Sequence, residues 1–238
     1  MHRSLNQSLR GVTLFSVLFT LLGGLGCSSS VKKLQREVGM KSRQIKLADL
    51  GKRYIKFKDS DYNIFAQDAQ PVRIKYRTFK LKKFDAVTKR ANIIYAKFKF
   101  AQGASRQFDN LVDRALKRGF KGESRKSLRK ALRRKSAKNL KSRKRLADSY
   151  GALEISLKAS RELLDEAKKM LDESEKVSSN TVKVLKNKPD KAILADKVVS
   201  ESKRSAKRLM KVISGAPKLA KSLSQSVEIS KIARAAGR

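Results

Sequence analysis

Apolar residues recur along much of this 238-residue chain at alternating intervals of three and four. The first unbroken series runs Phe84, Val87, Ala91, Ile94, Phe98, Ala101, Ser105, Phe108, Val112 and Ala115. Such spacing places the side chains on one face of an α-helix, so it predicts a long helix packed along its whole length. Gly103 interrupts this series, and Gly119 and Gly122 end it.

Two further series predict two more long helices. The second is a helix of about 60 Å that ends at Pro189. The third series keeps the same spacing across Gly215 and Pro217, so it predicts either two helices that share a direction or one kinked helix. Asp190 is a candidate N-cap. Their members are Leu146, Tyr150, Leu153, Leu157, Ser160, Leu164, Ala167, Leu171, Ser174, Ser178, Val182 and Leu185, then Ala195, Val199, Ser202, Ala206, Leu209, Ile213, Ala216, Ala220, Leu223 and Val227.

The pattern is less regular over residues 31–83. Val31, Leu34 and Val38 begin a helical spacing, whereas Val72, Ile74 and Tyr76 alternate like a strand that could pair with residues 53–58. Phe79 and Leu81 break that alternation. We therefore favour a loop or short helices over 59–71 and then a helix that runs into the first series.

These patterns predict an all-α fold, an elongated, antiparallel, coiled-coil-like bundle of three to four long helices over residues 84–238. Because several seam positions are Ala or Ser, each helix buries little apolar area and needs two neighbours. The seams also leave open a protein partner or a homo-oligomer.

The residue inventory excludes much catalytic chemistry. The chain has one histidine, His2, one cysteine, Cys27, and no tryptophan. Zinc, copper and haem sites need His or Cys ligands, and His-dependent nucleophilic mechanisms need an imidazole, so the chain lacks the side chains for both. No Gly-rich phosphate loop is present. We expect no metal, no cofactor and no enzymatic activity. The carboxylates between Glu154 and Glu175 alternate with lysines, as in a solvated helix face with ion pairs one turn apart.

The first 27 residues have the layout of an export signal. Arg3 and Arg10 precede an apolar run, Val12 to Leu22, and small residues then lead to Cys27. Leu25, Gly26 and Cys27 resemble the lipobox of bacterial lipoprotein precursors, with Gly24 where that motif has Leu. The resemblance implies that residues 1–26 are removed and that Cys27 is acylated, which anchors the chain to a lipid bilayer through a tether at residues 27–30.

Two alternatives for this segment stay open. Gly24-Leu25-Gly26 also satisfies the rule for ordinary secretory cleavage, and the 17 residues from Gly11 to Cys27 reach the short limit of a membrane-spanning helix. Ser28, rather than Asp, favours the outer membrane of a Gram-negative cell, facing the periplasm or the cell surface. Residues 60–65 and 212–220 resemble short stretches of uncharacterised helical envelope lipoproteins, and that likeness implies no activity.

Positive charge is concentrated in one segment. The formal net charge is +38, and residues 114–145 contain sixteen Lys or Arg against one acid, Glu123. We expect a basic helix with a narrow apolar stripe of Leu128, Ala131, Leu132 and Leu140. If the chain turns back after this helix, part of the basic segment would neutralise the seven carboxylates of residues 154–175. Seven carboxylates are too few to balance sixteen cations. The predicted polyanion-binding residues are Lys117, Arg118, Arg125, Lys126, Arg129, Lys130, Arg133, Arg134, Lys138 and Lys141.

The nature of the polyanion follows from the compartment. No aromatic residue lies between Lys121 and Arg145, which makes nucleic acid the less favoured partner. An exported protein meets anionic phospholipid, lipopolysaccharide phosphate and peptidoglycan carboxylates first. We therefore expect an envelope lipoprotein with a structural or adaptor role. A nonspecific nucleic-acid-binding protein that contacts only the backbone is the alternative.

Overall fold

Three long helices form most of the described structure. The computed structural model describes residues 40–55, 73–134, 139–188 and 191–236. Predictions for the signal peptide, Cys27 and the tether lie outside these ranges, as do those for Lys138, Pro189 and Asp190. The elements in chain order are β1 (Lys41–Gln44), a 3₁₀ helix (Leu47–Leu50), α1 (Lys52–Ile55), β2 (Lys75–Thr78), α2 (Lys82–Arg118), α3 (Leu128–Arg133), α4 (Leu140–Asp148), α5 (Tyr150–Lys186) and α6 (Ala192–Ala235).

Contacts between side chains fix the directions of the long helices. Asn92 Nδ2 lies 3.4 Å from Ser205 Oγ, and Ser105 Oγ lies 3.2 Å from Ser222 Oγ, so α2 and α6 run parallel. Ser202 Oγ donates to Ser178 Oγ at 2.7 Å, while Ser149 and Ser230 meet at 3.3 Å, so α5 runs antiparallel to α6. Consecutive long helices are therefore antiparallel, which confirms the predicted all-α helical bundle with three long helices.

The first seam is the core face of α2. All ten of its residues are buried, from Phe84 at one end to Ala115 at the other. Gly103 is buried within the same helix and does not interrupt it. A second face of α2 is also covered, because Ala96, Phe100 and Ala104 pack in a separate cluster with Ile45 and Tyr54. The helix thus lies at the centre of the described structure.

The buried faces of α5 and α6 are shifted from the predicted seams by one residue at several turns. Leu157, Leu164 and Leu171 are only partly buried, whereas Ser156, Leu163 and Met170 are fully buried. In α6, Val212 and Leu219 are buried in place of Ile213 and Ala220. Each of these helices packs against two neighbours, so its buried sector is wider than a two-helix seam and has a different centre.

Helix α6 is continuous through Pro217, so of the two alternatives left open for the third series the structure has one helix rather than two. Pro217 has no N–H to donate to the carbonyl of Ile213, and it is exposed, where water can reach that carbonyl. Close packing on the opposite side involves Gly215. A Cβ at this position would lie 2.6 Å from Cζ of Phe98, so α2 and α6 approach where α6 has no side chain.

The expectation of a helix leading into the first seam was wrong for residues 75–78. They form strand β2, which pairs antiparallel with β1 so that Lys41 faces Thr78 and Gln44 faces Lys75. The partner is therefore not 53–58, where residues 52–55 form α1. Helix α2 begins at Lys82, and the Asp85 carboxylate accepts the N–H groups of Phe79 at 2.9 Å and Leu81 at 3.1 Å.

Candidate polyanion-binding surface

The sequence had suggested that the basic segment forms one helix, but the structure divides it among several elements. It comprises the last turn of α2, a turn over 119–127, the short helix α3, and α4, and we call its described residues, 114–134 and 139–145, the cationic end. Two glycines permit this path. Gly122 has a φ of +84°, which L side chains rarely adopt, and a Cβ on Gly119 would lie 2.6 Å from the Ser142 hydroxyl of α4.

The predicted apolar stripe anchors only part of this segment. Leu128, Ala131 and Leu132 of α3 are buried in the main core, whereas Leu140 is 58% exposed. The buried face of α3 fixes the remaining residues of that helix on the surface. Lys130 and Arg133 are consequently held at the exterior by the packing of their neighbours.

Arg125 holds the turn between α2 and α3. Its guanidinium lies 2.7 Å from Asp113 and 3.0 Å from Asp109, two carboxylates one turn apart on α2. The hydrogen bond with Asp113 raises the pKa of Arg125 above its ordinary value, although partial desolvation opposes the shift. This fork joins the turn to α2, so Arg125 has carboxylate partners within the fold.

Two more of the predicted binding residues also have carboxylate partners. Arg129 on α3 lies 3.1 Å from Glu228 on α6, and Arg134 lies 3.9 Å from Glu123 in the turn. The Arg129 pair connects α3 to α6. These contacts give Arg125, Arg129 and Arg134 a role in positioning the cationic end, a role that their sequence positions do not reveal.

Arg143 was not among the predicted site residues, and it is the most buried cation of this region at 3% exposure. Its guanidinium donates to the carbonyl of Arg134 after α3 and to the carbonyl of Ala236, 3.4 Å away, after α6. A cation is favourable beside such helix C-termini. The sequence carried a signal for it, because Arg143 continues the second apolar series three residues before Leu146.

The other predicted binding residues are exposed and have no carboxylate within 4 Å among the described residues. They are Lys117, Arg118, Lys126, Lys130, Arg133 and Lys141. Lys121, Lys144 and Arg145 share this exposure and lack of partners, although the prediction did not include them. The cationic end thus separates into arginines that hold the scaffold and cations that are available to a partner.

A cleft of about 600 Å³ opens beside the cationic end. Its apolar lining is Phe108 and Val112 of α2 with Ile229 of α6. Its polar lining consists of Asp109, Arg125, Lys126, Arg129, Ser222, Gln225 and Ser226, and the Asp109 carboxylate is paired with Arg125. The cleft is therefore wide enough for a small anionic group and has the ammonium of Lys126 available beside it.

The alternative in which a turn-back lets the carboxylates between Glu154 and Glu175 neutralise part of the basic segment is not observed among the described residues. Glu162 pairs with Arg53 of α1, Glu166 with Lys97 and Glu173 with Arg90 of α2, each at 3.3 Å. These are ion pairs between elements rather than along one helix. They use cations outside residues 114–145, so the positive charge of that segment is left without these partners.

Helix α6 carries a second cationic surface that was missed from the sequence. We call it the lysine stripe: five exposed lysines at intervals that place them on one face, Lys203, Lys207, Lys211, Lys218 and Lys221. The signal was available, since no Asp or Glu occurs between Ser202 and Val227. The prediction from the sequence had named only residues 114–145, where Lys and Arg are most concentrated.

Within the described ranges, no three His, Cys, Asp or Glu side chains are placed to hold a metal ion together. Among the same residues, no helix combines the length and apolar character required to cross a bilayer. Neither a protein-family profile, nor a curated protein sequence, nor a solved structure matches this chain.

Proposed function

We propose that this chain is a lipid-anchored protein of the bacterial envelope with a structural or adaptor role. Acylated Cys27 holds it to the bilayer, and the cationic end contacts anionic phospholipid, lipopolysaccharide or peptidoglycan. One observation carries the contact: Lys117, Arg118, Lys126, Lys130, Arg133 and Lys141 are exposed without carboxylate partners among the described residues. A cluster of unpaired cations attracts anionic surfaces and raises their rate of encounter.

Supporting contacts make the cationic end a fixed surface rather than a flexible tail. Arg125 and Arg129 bind carboxylates of α2 and α6, and Arg143 joins the ends of α3 and α6. The unpaired cations extend from elements that these contacts hold in place. Each Lys or Arg near an anionic leaflet adds about 1 kcal/mol of attraction, so six would give substantial binding at low salt.

A binding role is favoured over catalysis by the residues available. The proposed mature chain, residues 27–238, contains no histidine, and its single cysteine is the acylation site. Its catalytic repertoire is limited to carboxylates, Lys, Ser and Tyr. Three carboxylates of α5 are engaged in ion pairs with neighbouring elements, which is a structural use.

The anchor is tested by the mass of the mature N-terminal peptide. We expect a peptide that begins at Cys27 and carries the mass of attached acyl chains, and we expect Cys27→Ser to release the protein from the membrane fraction. Signal removal without added mass would indicate simple secretion. An unchanged membrane fraction for Cys27→Ser would remove the basis for the anchor.

The cationic end is tested with Lys117→Gln, Lys130→Gln, Arg133→Gln and Lys141→Gln combined. A matched control neutralises four exposed lysines of α5, Lys158, Lys168, Lys176 and Lys183. We expect the first variant to lose salt-dependent sedimentation with phosphatidylglycerol vesicles or isolated cell wall, while the control retains it. Equal retention by both would contradict the proposal. Co-purification of the wild-type protein with nucleoid would favour nucleic acid instead.

A further inference from the structure

The lysine stripe differs from the exposed lysines of α5 because no Asp or Glu occurs in its stretch of helix, between Ser202 and Val227. Its first and last lysines, Lys203 and Lys221, are eighteen positions apart on α6, about 27 Å at 1.5 Å per residue. No carboxylate lies within 4 Å of any of the five lysines among the described residues. Like charges on successive turns repel one another, so this arrangement costs stability unless an anion lies along it.

Two arginines in the same stretch of α6 have partners within the fold. Arg204 lies 3.1 Å from the buried carboxylate of Glu201. Arg208 is half-buried and donates to the side chain of Asn92 and to the Lys75 carbonyl at 3.0 Å. Desolvation lowers the pKa of Arg208, as expected for a cation within the scaffold. Both arginines thus have contacts within the fold, although Arg204 is also exposed, whereas the five lysines are exposed without a carboxylate partner among the described residues.

The stripe leads into the cleft at the cationic end. Ser222 directly follows Lys221, and Gln225 lies one turn further along the same face; both line the cleft. Lys126 and Arg129 line the same cleft, as does Asp109, whose carboxylate is paired with Arg125. A continuous path therefore runs from Lys203 along α6, through the cleft, to the unpaired cations of α3.

We propose that this path binds a single linear anionic polymer, with repeating phosphate or carboxylate groups along the stripe and one of its groups in the cleft. The chemistry is that of an anionic cell-wall polymer. This inference rests on the proposed function, since it names which envelope component the protein meets. Lysine suits the role because its ammonium is a compact point charge that needs no fixed orientation of the anion.

The shape of the path favours a polymer over a bilayer. The lysines form one narrow row on a convex helix, and the row ends in a concave cleft that a planar headgroup surface would not enter. The exposed large hydrophobic residues of α6 are Met210 beside the row, at 54%, and Ile193, at 56% and ten residues before Lys203. Two separate side chains offer little to insert into acyl chains. A flexible chain can follow both the row and the cleft.

The composition of α6 disfavours nucleic acid as the polymer. No Phe, Tyr or Trp occurs between Ala192 and Ala235. Proteins that bind single strands without sequence preference stack bases on aromatic side chains, which contributes about 1–3 kcal/mol per base. Without that contribution, a base-bearing chain gains nothing over a plain chain of phosphates with the same charge.

The experiment compares two full-length variants with equal loss of charge. The stripe variant replaces Lys203, Lys207, Lys211, Lys218 and Lys221 with Gln. The control replaces five exposed lysines of α5 with Gln, namely Lys158, Lys168, Lys169, Lys176 and Lys183. Far-UV circular dichroism verifies that both are folded. Binding is measured against long-chain inorganic polyphosphate and poly-glutamate over a range of NaCl concentrations.

We expect the stripe variant to bind polyphosphate at least roughly tenfold more weakly and the control to change much less. The salt dependence should also become shallower, by about 0.7 in the logarithmic slope for each phosphate that the variant no longer neutralises. Preference for polyphosphate or for poly-glutamate identifies a phosphate or a carboxylate polymer. Equal weakening in both variants would overturn the inference, because net charge alone would then explain the binding.

A matched pair of substitutions tests the role of the cleft. Gln225→Glu adds a carboxylate inside it, whereas Ser224→Glu adds the same charge to the neighbouring exposed position. We expect the first to weaken polyphosphate binding several-fold more than the second. Equal effects would remove the cleft from the path.

Other outcomes separate this inference from the proposed function. Tighter binding to single-stranded DNA than to polyphosphate of equal charge would overturn the choice of polymer. Stripe-dependent binding to vesicles alone would assign the stripe to the bilayer instead. If the cationic-end variant loses wall binding while the stripe variant keeps polyphosphate binding, the proposed function stands and this inference fails.

Discussion

Helices α5 and α6 have similar cores but different surfaces. Helix α5 has seven cations and seven carboxylates, whereas α6 has ten cations and three carboxylates. Carboxylates of α5 reach Arg53, Arg90 and Lys97 on other elements. In α6, by contrast, the stretch between Ser202 and Val227 has no carboxylate at all.

The comparison shows that the high positive charge is not equally available to an anionic partner over the whole surface of the bundle. The seven cations of α5 also have no carboxylate within 4 Å among the described residues, but they lie among seven carboxylates of the same helix, so α5 carries no net charge. Net positive charge is concentrated on α6 and at the cationic end, whose exposed members include Lys126 and Lys130. Packing selects which face of each helix is buried, and the placement of carboxylates decides which remaining face can meet an anion.

The largest expected effects are losses of stability shared by both helices. Leu163 in α5 is 1% exposed and Leu209 in α6 is fully buried, and both belong to the main core. We expect Leu163→Ala and Leu209→Ala each to lower the free energy of unfolding by about 2–5 kcal/mol. Urea denaturation measures both. A loss confined to one helix would show that the cores are not equivalent.

A smaller loss should follow Gly215→Ala, because the new methyl group would meet the Phe98 ring at 2.6 Å. Overpacking typically costs about 1–3 kcal/mol, and the better helix propensity of Ala offsets roughly 1 kcal/mol. We expect a net loss of about 1 kcal/mol in urea denaturation. The control, Ser214→Ala, changes an exposed neighbour and should leave stability equal or slightly higher. A stable Gly215→Ala variant would contradict the close approach of α2 and α6.

Neutralising one charge should have opposite effects on the two helices. Glu166→Gln in α5 removes the partner of Lys97, whose side chain is only 17% exposed, and should cost roughly 0.5 kcal/mol. Lys207→Gln in α6 relieves repulsion and should stabilise by a few tenths of a kcal/mol. Both effects should shrink at high salt, as measured by thermal unfolding. If both variants were more stable than the wild-type protein, or both less stable, the contrast between α5 and α6 would be contradicted.

The smallest effect concerns a paired carboxylate at acidic pH. Burial alone would raise the pKa of Asp49, but the hydrogen bond and charge of Lys89 and the N–H of Lys46 lower it below 3.8 overall. Its contribution to stability is therefore complete above the unfolded-state pKa and is lost as pH falls through the lower folded-state value. Asp49→Asn should flatten the pH dependence of stability in that acidic range. An unchanged profile would show that the Lys89 pair contributes nothing.

Sequence periodicity was sufficient for the helices and insufficient for their exact faces. The α2 seam was predicted completely because its large residues, such as Phe84 and Phe108, mark one face clearly. In α5 and α6, Ala and Ser occupy many positions, so neighbouring faces have similar hydrophobicity and tertiary contacts choose between them. The strand-like alternation of Val72, Ile74 and Tyr76 was recognised, but a helix was favoured and the partner was misplaced, because β1 has four exposed residues and no apolar alternation.

The candidate site shows a comparable limit. The exposed cations could be named from the sequence, but their pairing depends on residues that only folding brings close. Glu228, the partner of Arg129, lies on α6, and Arg143 is buried because α3 and α6 end beside it. The lysine stripe, in contrast, was visible as a stretch without carboxylates.

The contrast between α6 and α5 can be measured on the lysines of both helices within one sample. The rate at which each lysine is acetylated is determined by mass spectrometry with and without long-chain polyphosphate. We predict slower acetylation at Lys203, Lys207, Lys211, Lys218 and Lys221 and unchanged rates at Lys158, Lys168, Lys169, Lys176 and Lys183. Equal protection of the two helices, or protection of α5 alone, would contradict the assignment of anion binding to the unpaired lysines of α6.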